Sequence, residues 1–382
     1  MIRFSSGQSG RLMALGVTAI LAVAACTSSG ATSAPTSAPS AIGKDYAAAV
    51  ATAKQGFPPS WQGPTTPAKA PSGIKLAMIS CASILHGCQS PVDGGKHAAE
   101  ALGWQFQAYD GGGDPNKQNT AILNAIAYGA NVIGLVAIDP NLVQSGIQAA
   151  KAKGILVISG SSALSEPNTY TYGANVIPPE FDVAPDYAQM GKDEADWIVN
   201  DSGGKAVVAI YCDYEFPSNI AHCEPLEKEL KAAGIKTYPI IKFTSSTVGT
   251  TLGQETVGFL TSHPDVNYIY SPYDPAAGFQ VPAIVSAGLA DKVKLVSILG
   301  DQQNLDFIRK GEVQVADAAY DNEYMGYAMI DQAIRLLNKQ DLFRPLGENM
   351  PYVLLDKTNL PTAGSDWHAS FDYKSEFLKL WK

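Results

Sequence analysis

The sequence lacks a basic excess, a long apolar run beyond its first 25 residues and a Cys-x-x-Cys pair. Its 27 Lys and Arg residues stand against 36 Asp and Glu residues, so the net charge is −9, and the acidic residues are scattered. Phosphate binding needs a concentrated basic face, which excludes nucleic acid as the expected partner. The missing apolar run excludes an internal membrane span, and the missing cysteine spacing argues against a structural zinc site.

The sequence also lacks the common catalytic and phosphate-binding motifs. Ser161 follows Gly160, but the second glycine of a Gly-x-Ser-x-Gly turn is missing, which disfavours a nucleophilic serine with His86 or His222 as its base. The run 111–113 is Gly-Gly-Gly, without the Gly-x-Gly-x-x-Gly spacing or a P-loop lysine. We therefore expect a binding protein rather than an enzyme, with no cofactor and no metal.

The N-terminus has the pattern of a secretion signal with a bacterial lipoprotein cleavage site. An apolar run from Leu15 to Ala25 lies behind Arg3 and Arg11 and ends in Cys26. This pattern predicts a signal peptide over residues 1–25 and a mature chain that begins at a lipid-modified Cys26 outside the cytoplasm. The alternatives are a plain cleaved signal peptide and an N-terminal membrane helix, although the run is short and rich in alanine for a span.

Residues 26–72 are predicted to form a flexible tether. Thr27 to Gly43 consists of Ser, Thr, Ala, Pro and Gly apart from one isoleucine, a composition that buries almost nothing. A short helical pattern at 45–54 precedes a second Pro-rich stretch at 57–71. The predicted folded body therefore spans about 74–382, long enough for two domains of ordinary size.

Four cysteines remain after Cys26, and they fall as two close pairs, Cys81 with Cys88 and Cys212 with Cys223. In an oxidising exported setting we interpret them as two local disulfides, because loop closure costs least for near neighbours. Other pairings stay possible, as does a metal site that uses His86 and His222 beside the pairs.

Each cysteine pair begins at the end of an apolar β run and closes at the start of a helical pattern, so the chain contains two similar βαβ openings. The further predicted strands are 104–109, 131–137, 155–159, 235–241, 266–270 and 293–299. The further predicted helices are 115–128, 140–153, 249–263, 275–287 and 305–310. Continuous Val, Ile and Leu runs between helices predict two doubly wound α/β lobes with parallel sheets, which bind ligands at the carboxyl ends of their strands.

Six stretches resemble, in their order and spacing, the ribose/galactose-type periplasmic binding proteins. They are Asp110–Gln118, Asn131–Pro140, Ala152–Ser159, His263–Val266, Tyr273–Gly278 and Gly311–Tyr320. The resemblance implies the type I periplasmic-binding-protein fold, with lobes of 73–173 plus 321–343 and of 174–320 plus 344–382. It also implies a three-strand hinge near 172–176, 320–323 and 343–350, about which the lobes close on a ligand.

The resemblance further implies a solute receptor that serves an ABC permease, and we expect a monomer. With the signal at Cys26, this receptor is expected outside the cytoplasm, anchored to the cell membrane by its lipid. Repressors of the lactose type share this fold but carry a DNA-binding helix-turn-helix in front, where this chain has a signal and a tether. A receptor that presents its ligand to a membrane sensor kinase stays the chief alternative.

The family's usual sugar contacts are altered in this chain. Ser80, Cys81 and Ser83 stand where aromatic residues usually stack on a sugar, and Gly160-Ser161 replaces a usual Asp-Arg pair. The further matches put His222 at an arginine, Tyr273-Asp274 at an Asn-Asp and Tyr320 at the hinge glutamine. Asp301 in the second lobe keeps an acid that the family has, and Asp139 is a candidate acid in the first lobe. The predicted ligand-binding residues are Ser80, Cys81, Ser83, Asp110, Asp139, Ser159, Ser161, Tyr211, Tyr214, His222, Tyr273, Asp274, Asp301 and Tyr320.

The predicted cleft is rich in tyrosine, a side chain that offers apolar area with a polar tip. Asp274 and Asp114 each precede a proline, and either could cap the helix that follows instead of binding a ligand. A sugar or polyol is the expected ligand. A modified sugar, a small aromatic compound and an amino-acid-like solute stay open.

Overall fold

Two β-sheets, the first parallel and the second parallel except for its edge strand, are each covered by helices and form the two lobes of the protein. The structure is a computed structural model, and it describes residues 44–168 and 172–382. The predicted signal peptide, Cys26 and the tether up to residue 43 lie outside these described residues. The arrangement confirms the predicted α/β fold with two lobes.

The first sheet has five parallel strands in the order β2-β1-β3-β4-β5. They are β1 (Lys75–Ser80), β2 (Gln105–Asp110), β3 (Val132–Val136), β4 (Leu156–Gly160) and β5 (Asp182–Val183). The helices of this lobe are α2 (His86–Ala101), α3 (Pro115–Tyr128), α4 (Gln144–Lys151) and the later α10 (Asn322–Leu337). Every residue of β3 is buried, as expected for a central parallel strand covered on both faces.

The second sheet runs in the order β12-β11-β10-β9-β6-β7, with β8 paired to β6 and with β12 antiparallel to β11. Its strands are β6 (Val207–Asp213), β7 (Lys236–Thr237), β8 (Ile241–Phe243), β9 (Tyr268–Tyr270), β10 (Lys294–Leu299), β11 (Gln314–Tyr320) and β12 (Tyr352–Asp356). The helices of this lobe are α1 (Tyr46–Gln55), α5 (Tyr187–Ser202), α6 (Pro217–Ala232), α7 (Leu252–Ser262), α8 (Asp274–Ser286) and α9 (Gln302–Lys310). The predicted strand 235–241 is divided into β7 and β8, and Pro239 lies between them without an N–H for the ladder.

The chain leaves the first lobe later than the sequence predicts. β5 pairs with β4, so the first sheet extends to Val183, beyond the expected boundary at residue 173. Residues 172–176 are therefore not a crossing, and the chain passes to α5 of the second lobe only after β5. The later crossings lie between β11 and α10 and between α10 and β12, near the predicted segments 320–323 and 343–350.

Residues 44–72 pack against the body, so the predicted tether is wrong for this part of the chain. α1 buries Val50 and Ala53, and Lys54 Nζ lies 2.8 Å from Asp356 Oδ1 of the second lobe. Further along, Arg335 Nη2 of α10 donates to Thr66 O at 3.1 Å in the first lobe. The segment 57–71 therefore runs from one lobe to the other, and we call it the strap.

The C-terminal helix α11 (Tyr373–Leu380) returns to the first lobe. Lys374 Nζ forms an ion pair with Glu323 of α10 at 2.7 Å, and Trp381 Nε1 donates to Asp331 Oδ1 at 2.7 Å. The predicted assignment of 344–382 to the second lobe therefore suits β12 but not α11.

The structure joins Cys81 to Cys88 and Cys212 to Cys223, which confirms both predicted disulfides. Each bridge connects the end of the first strand of a lobe to the helix that follows it. Within residues 44–168 and 172–382, no helix has both the length and the apolarity that a membrane crossing requires.

Candidate functional site

A cavity of about 470 Å³, including its part open to solvent, lies between the two lobes. Its walls come from the carboxyl ends of strands in both sheets, the place where open α/β sheets bind ligands. The lining residues are Leu85, Gly87, Cys88, Ala137, Ser161, Tyr187, Phe216, Ser218, Asn219, His222, Pro272, Tyr273, Pro275, Ile298, Leu299 and Tyr320. None of these described lining residues is Asp, Glu, Lys or Arg, so the wall is uncharged apart from any charge on His222.

Three hydroxyl groups form a chain across the cavity wall. Ser161 Oγ lies 2.9 Å from Tyr187 Oη, which lies 3.3 Å from Tyr320 Oη. Burial raises the pKa of Tyr187 to about 12, so its hydroxyl stays protonated at physiological pH. Hydroxyls of this kind either donate or accept, and the chain can therefore reorient toward the polar groups of a bound molecule.

His222 lies in the same wall as a neutral imidazole. Its Nδ1 is 2.6 Å from Tyr270 Oη, and burial lowers its pKa to about 3. A neutral imidazole presents either a donor or an acceptor at its other nitrogen. His222 therefore supplies hydrogen-bonding capacity without charge.

Tyr273 and Phe216 form an aromatic part of the wall, with ring centroids 6.2 Å apart in an edge-to-face arrangement. The Tyr273 hydroxyl donates to Asp213 Oδ2 at 2.9 Å, which fixes the ring orientation. Burial raises the pKa of Asp213 to about 7, despite the N–H that Glu215 donates to its carboxylate. Asp213 therefore orients the Tyr273 ring, although Asp213 itself does not line the cavity.

Asp274 lies outside the cavity wall and does not cap a helix. It is the first residue of α8 and is fully buried, where it accepts hydrogen bonds from Ser297 Oγ and from the Asp301 backbone N–H at 2.7 Å. Burial and the neighbouring Asp317 carboxyl raise the pKa of Asp274 well above its usual range. The other proposed cap is confirmed, since Asp114 accepts from Asn116 N at 2.7 Å at the start of α3.

The structure brings Ser161, His222, Tyr273 and Tyr320 together in the cavity wall, and their contact with a ligand stays a prediction. Four predicted residues are instead fully or almost fully buried in the core beside it: Ser80, Cys81, Ser159 and Tyr211. Of three others, Ser83 and Asp110 are exposed and Tyr214 is partly buried. Asp110 accepts the backbone N–H groups of Ser83 at 2.8 Å and Gly112 at 2.9 Å, so it orders the loop.

Asp139 belongs to a second, smaller opening between the lobes. This cavity of about 430 Å³ shares Ala137 and Phe216 with the first. The Asp139 carboxylate accepts hydrogen bonds from Asn141 N at 2.9 Å and from Asn141 Nδ2 at 2.7 Å. Asp139 therefore orders the chain after β3, and the same residue lines the second cavity.

Asp301 meets His86 across the cleft rather than facing the cavity. Asp301 Oδ1 lies 2.5 Å from His86 Nδ1, and Asp366 Oδ2 lies 3.3 Å from His86 Nε2. Among the described residues these three form the one group with the ligand types and spacing of a metal site. Each ring nitrogen already faces a carboxylate, however, which suits an imidazolium shared between two acids better than a metal ligand.

Sequence reasoning missed most of the apolar wall and one tyrosine. Tyr187 opens α5, the first helix after the chain crosses to the second lobe, and the late crossing hid its position. Leu85, Gly87, Ile298 and Leu299 line the cavity with no polar group that would have singled them out. Their signal is positional, since Ile298 and Leu299 end β10, and Leu85 and Gly87 lie at the start of α2, the helix that follows β1.

Two α/β lobes whose parallel strands direct their carboxyl ends to one shared cavity define the class of two-lobed α/β ligand-binding proteins. A family profile described as the periplasmic binding protein domain matches residues 86–341. The chain belongs to this family, and the resemblance stated from the sequence is confirmed. A comparison with curated proteins found no match.

Solved structures share the fold at low sequence identity. A solute-binding protein of an ABC transporter from Agrobacterium vitis, with bound allitol, is 18% identical and covers 75% of this chain and 97% of its own, with a TM-score of 0.66. The myo-inositol-binding protein of Caulobacter is 20% identical, covers 76% and 96%, and has a TM-score of 0.65. A solute-binding protein from Mycobacterium smegmatis with bound glycerol is 19% identical, covers 78% and 100%, and has a TM-score of 0.65.

Proposed function

We propose that this protein is an extracytoplasmic solute-binding lipoprotein that captures one small uncharged molecule between its lobes and delivers it to an ABC permease. The observation that carries the proposal is the cavity shared by the carboxyl ends of both sheets. A ligand that touches both walls is bound more tightly by the closed lobes, and closure is the signal that such a receptor passes on.

The uncharged wall supports a neutral solute over an amino acid. A zwitterion would bring an ammonium and a carboxylate out of water, and each would need an opposite charge or several hydrogen bonds to offset the cost. The described lining offers hydroxyls, an amide and a neutral imidazole instead. These groups suit the hydroxyls of a sugar or polyol.

The aromatic and aliphatic part of the wall supports a solute with an apolar face. Phe216, Tyr273 and Leu299 present contact area without charge. A polyol fits this mixture of surfaces, and so does a sugar that is deoxygenated or otherwise modified. The structural neighbours described above carry allitol, myo-inositol and glycerol, which supports the same class of compound.

Membrane attachment is the second part of the proposal. Cys26 would carry the lipid, and residues 27–43 would link it to the packed segment that begins at Lys44. This arrangement would hold the cavity near a permease in the same membrane while the lobes stay free to close.

A thermal-shift screen of the purified protein tests the binding proposal. Allitol, myo-inositol, glycerol, common monosaccharides, amino acids and small aromatic compounds would be added over a concentration series. A compound that binds the folded state raises the melting temperature as its concentration rises. We expect a rise of several degrees with a polyol or sugar and none with amino acids.

Isothermal titration of the best compound would then confirm one site per chain. A response to amino acids alone would overturn the neutral-solute proposal, and turnover of the compound during the titration would overturn the assignment as a binding protein. The lipid anchor has its own test in cells grown with radioactive palmitate. The wild-type protein should carry the label and stay with the membrane, whereas Cys26→Ala should carry no label and be released.

A further inference from the structure

His86 connects the two lobes outside the cavity. It is the first residue of α2 in the first lobe, whereas Asp301 follows β10 and precedes α9 in the second. The contact between His86 Nδ1 and Asp301 Oδ1 at 2.5 Å therefore crosses the cleft. About a third of the His86 side chain is exposed, so the contact lies at the mouth of the cleft.

The second lobe holds both carboxylates in place. The Asp301 N–H donates to Asp274 Oδ2 at 2.7 Å, and Asp366 Oδ1 accepts the Gln302 N–H at 2.8 Å. The neighbouring Trp367 N–H donates to Gly300 O at 2.8 Å. Asp301 and Asp366 thus form a fixed acidic seat, which receives His86 only when the lobes are together.

The first lobe connects His86 directly to the cavity wall. Leu85 and Gly87 flank it in sequence and line the cavity, and Cys88 closes the disulfide loop that begins at Cys81. Gly87 lies against Leu299 of the second lobe, with the position of a Cβ on Gly87 3.3 Å from the Leu299 methyl carbons. A movement of His86 therefore moves this wall.

We propose that His86, Asp301 and Asp366 form an ionic clasp in which the imidazolium holds the lobes closed, so that His86 is a positioning residue for solute binding. The part that concerns solute affinity rests on the proposed function. The clasp itself is a property of the two lobes and is testable without solute.

The charged surroundings favour the imidazolium in the closed form. Burial by itself would lower the pKa of His86, but the hydrogen bond that His86 donates to Asp301 and the electrostatic attraction of Asp301, Asp366 and Asp274 outweigh it and raise the pKa to about 9. Asp306 and Lys310 of α9 line the same opening and carry opposite charges. When the lobes separate, His86 loses the acidic seat and its pKa returns toward the ordinary 6.5.

The sign of the pH dependence follows from these values. Because the closed form binds the proton more tightly, closure is assisted fully below about pH 6.5 and loses this assistance as the pH rises through about 9. Solvent reaches the clasp and screens it, so we expect the ratio of closed to open protein to fall about tenfold between pH 6.5 and 9.5.

Nuclear magnetic resonance of the histidine ring protons in the solute-free protein tests the clasp first. The His86 signal is assigned by its loss in His86→Gln, and we expect its pKa to lie above 8 in the wild type and to fall by at least one unit in Asp301→Asn. His97→Gln is the matched control, because His97 pairs with Glu323 within the first lobe at 2.7 Å. A His86 pKa near 6.5 in the wild type overturns the proposal.

Small-angle X-ray scattering of the same solute-free samples then measures closure. We expect the radius of gyration of the wild type and of His97→Gln to rise from pH 6.5 to 9.5. His86→Gln should show the larger radius at both values and no pH dependence. A raised His86 pKa with a radius that is independent of pH and of His86→Gln would overturn the role in closure.

A solute identified by the thermal-shift screen extends the test to affinity. Its Kd for the wild type should increase about tenfold from pH 6.5 to 9.5, and its Kd for His86→Gln should be independent of pH. Equal pH dependence in both proteins would contradict the positioning role while leaving solute binding intact. Absence of any binding solute would contradict the proposed function while leaving the clasp measurements valid.

Discussion

Burial keeps the polar side chains of the cavity uncharged. His222 has its pKa lowered to about 3 and Tyr187 has its pKa raised to about 12, in both cases chiefly by loss of water. Both groups are therefore neutral across physiological pH. The polar part of the cavity works through hydrogen bonds, whose energy depends on geometry and on complete pairing rather than on charge.

Tyr187→Phe tests the hydroxyl chain at the scale of one atom. Removing the hydroxyl leaves Ser161 and Tyr320 without their shared partner and removes one polar contact for the solute, so affinity should fall about tenfold, or ~1.4 kcal/mol. Isothermal titration with the solute from the screen would measure it.

Tyr211→Phe is the matched control for this substitution. Tyr211 is buried between Phe243 and Phe259 outside the cavity, and its hydroxyl makes no hydrogen bond within the described structure. Its loss should leave affinity unchanged and stability equal or slightly higher. Equal affinity loss in both variants would contradict the assignment of the hydroxyl chain to the binding site.

Each lobe contains a pair of helices that approach closely at glycine. In the first lobe, a Cβ on Gly326 of α10 would collide with the backbone of Pro91 and Gly95 in α2. In the second lobe, a Cβ on Gly191 of α5 would collide with the carbonyl of His222 in α6. The second contact also locates Tyr187 and His222 on facing helices, so helix packing determines the spacing of these two side chains in the cavity wall.

Gly326→Ala tests this packing at the scale of the element. The added methyl group meets backbone atoms that cannot rotate away, so we expect a loss of about 2 kcal/mol in the free energy of unfolding. Gly258→Ala in the middle of α7 is the control, because nothing lies within 4 Å of its Cβ position. That substitution should stabilise the protein by about 0.5–1 kcal/mol through helix propensity. Urea unfolding would measure both, and destabilisation of similar size would contradict the helix-contact explanation.

Two segments besides the three hinge crossings connect the lobes: the strap and the chain from β12 to α11. α1 packs on the second lobe and the strap continues to the first, where Trp61 contacts Tyr324, Phe371 and Phe377. From β12 the chain likewise returns to the first lobe as α11. The strap and α11 also meet each other, since Ala68 N donates to Leu380 O at 2.8 Å. Both the strap and α11 therefore pack on α10 of the first lobe.

Trp61→Ala tests the strap at the scale of the whole molecule. The tryptophan is half-buried among three aromatic rings, so its loss should lower the free energy of unfolding by about 2 kcal/mol. Leu123→Ala is a control, since 51% of Leu123 is exposed and its truncation should change stability by less than about 0.5 kcal/mol. Equal stability of the two variants in urea would indicate that residues 57–71 act as a tether after all.

Local pattern in the sequence was sufficient for the fold class, both disulfides and most of the elements. Apolar strands alternate with amphipathic helices, and neighbouring cysteines close short loops, so each feature depends on residues close together in the chain. The same reasoning correctly identified Asp114 as a helix cap, because a cap bonds to the residues that immediately follow it. It left a cap or a ligand contact open for Asp274, and the structure does not support the cap, because the partners of that carboxyl are Ser297 and Asp301 on other elements.

The sequence by itself determined two doubly wound lobes, two bridges and a site at the carboxyl ends of the strands. Only the tertiary structure decided that residues 44–72 and α11 pack on the body, that β5 belongs to the first sheet, and that Tyr187 enters the cavity wall. It also decided the meeting of His86 with Asp301, which lie 215 residues apart. The physical reason is that periodicity and loop closure are local, whereas these contacts depend on how segments far apart in the chain are brought together in the two lobes.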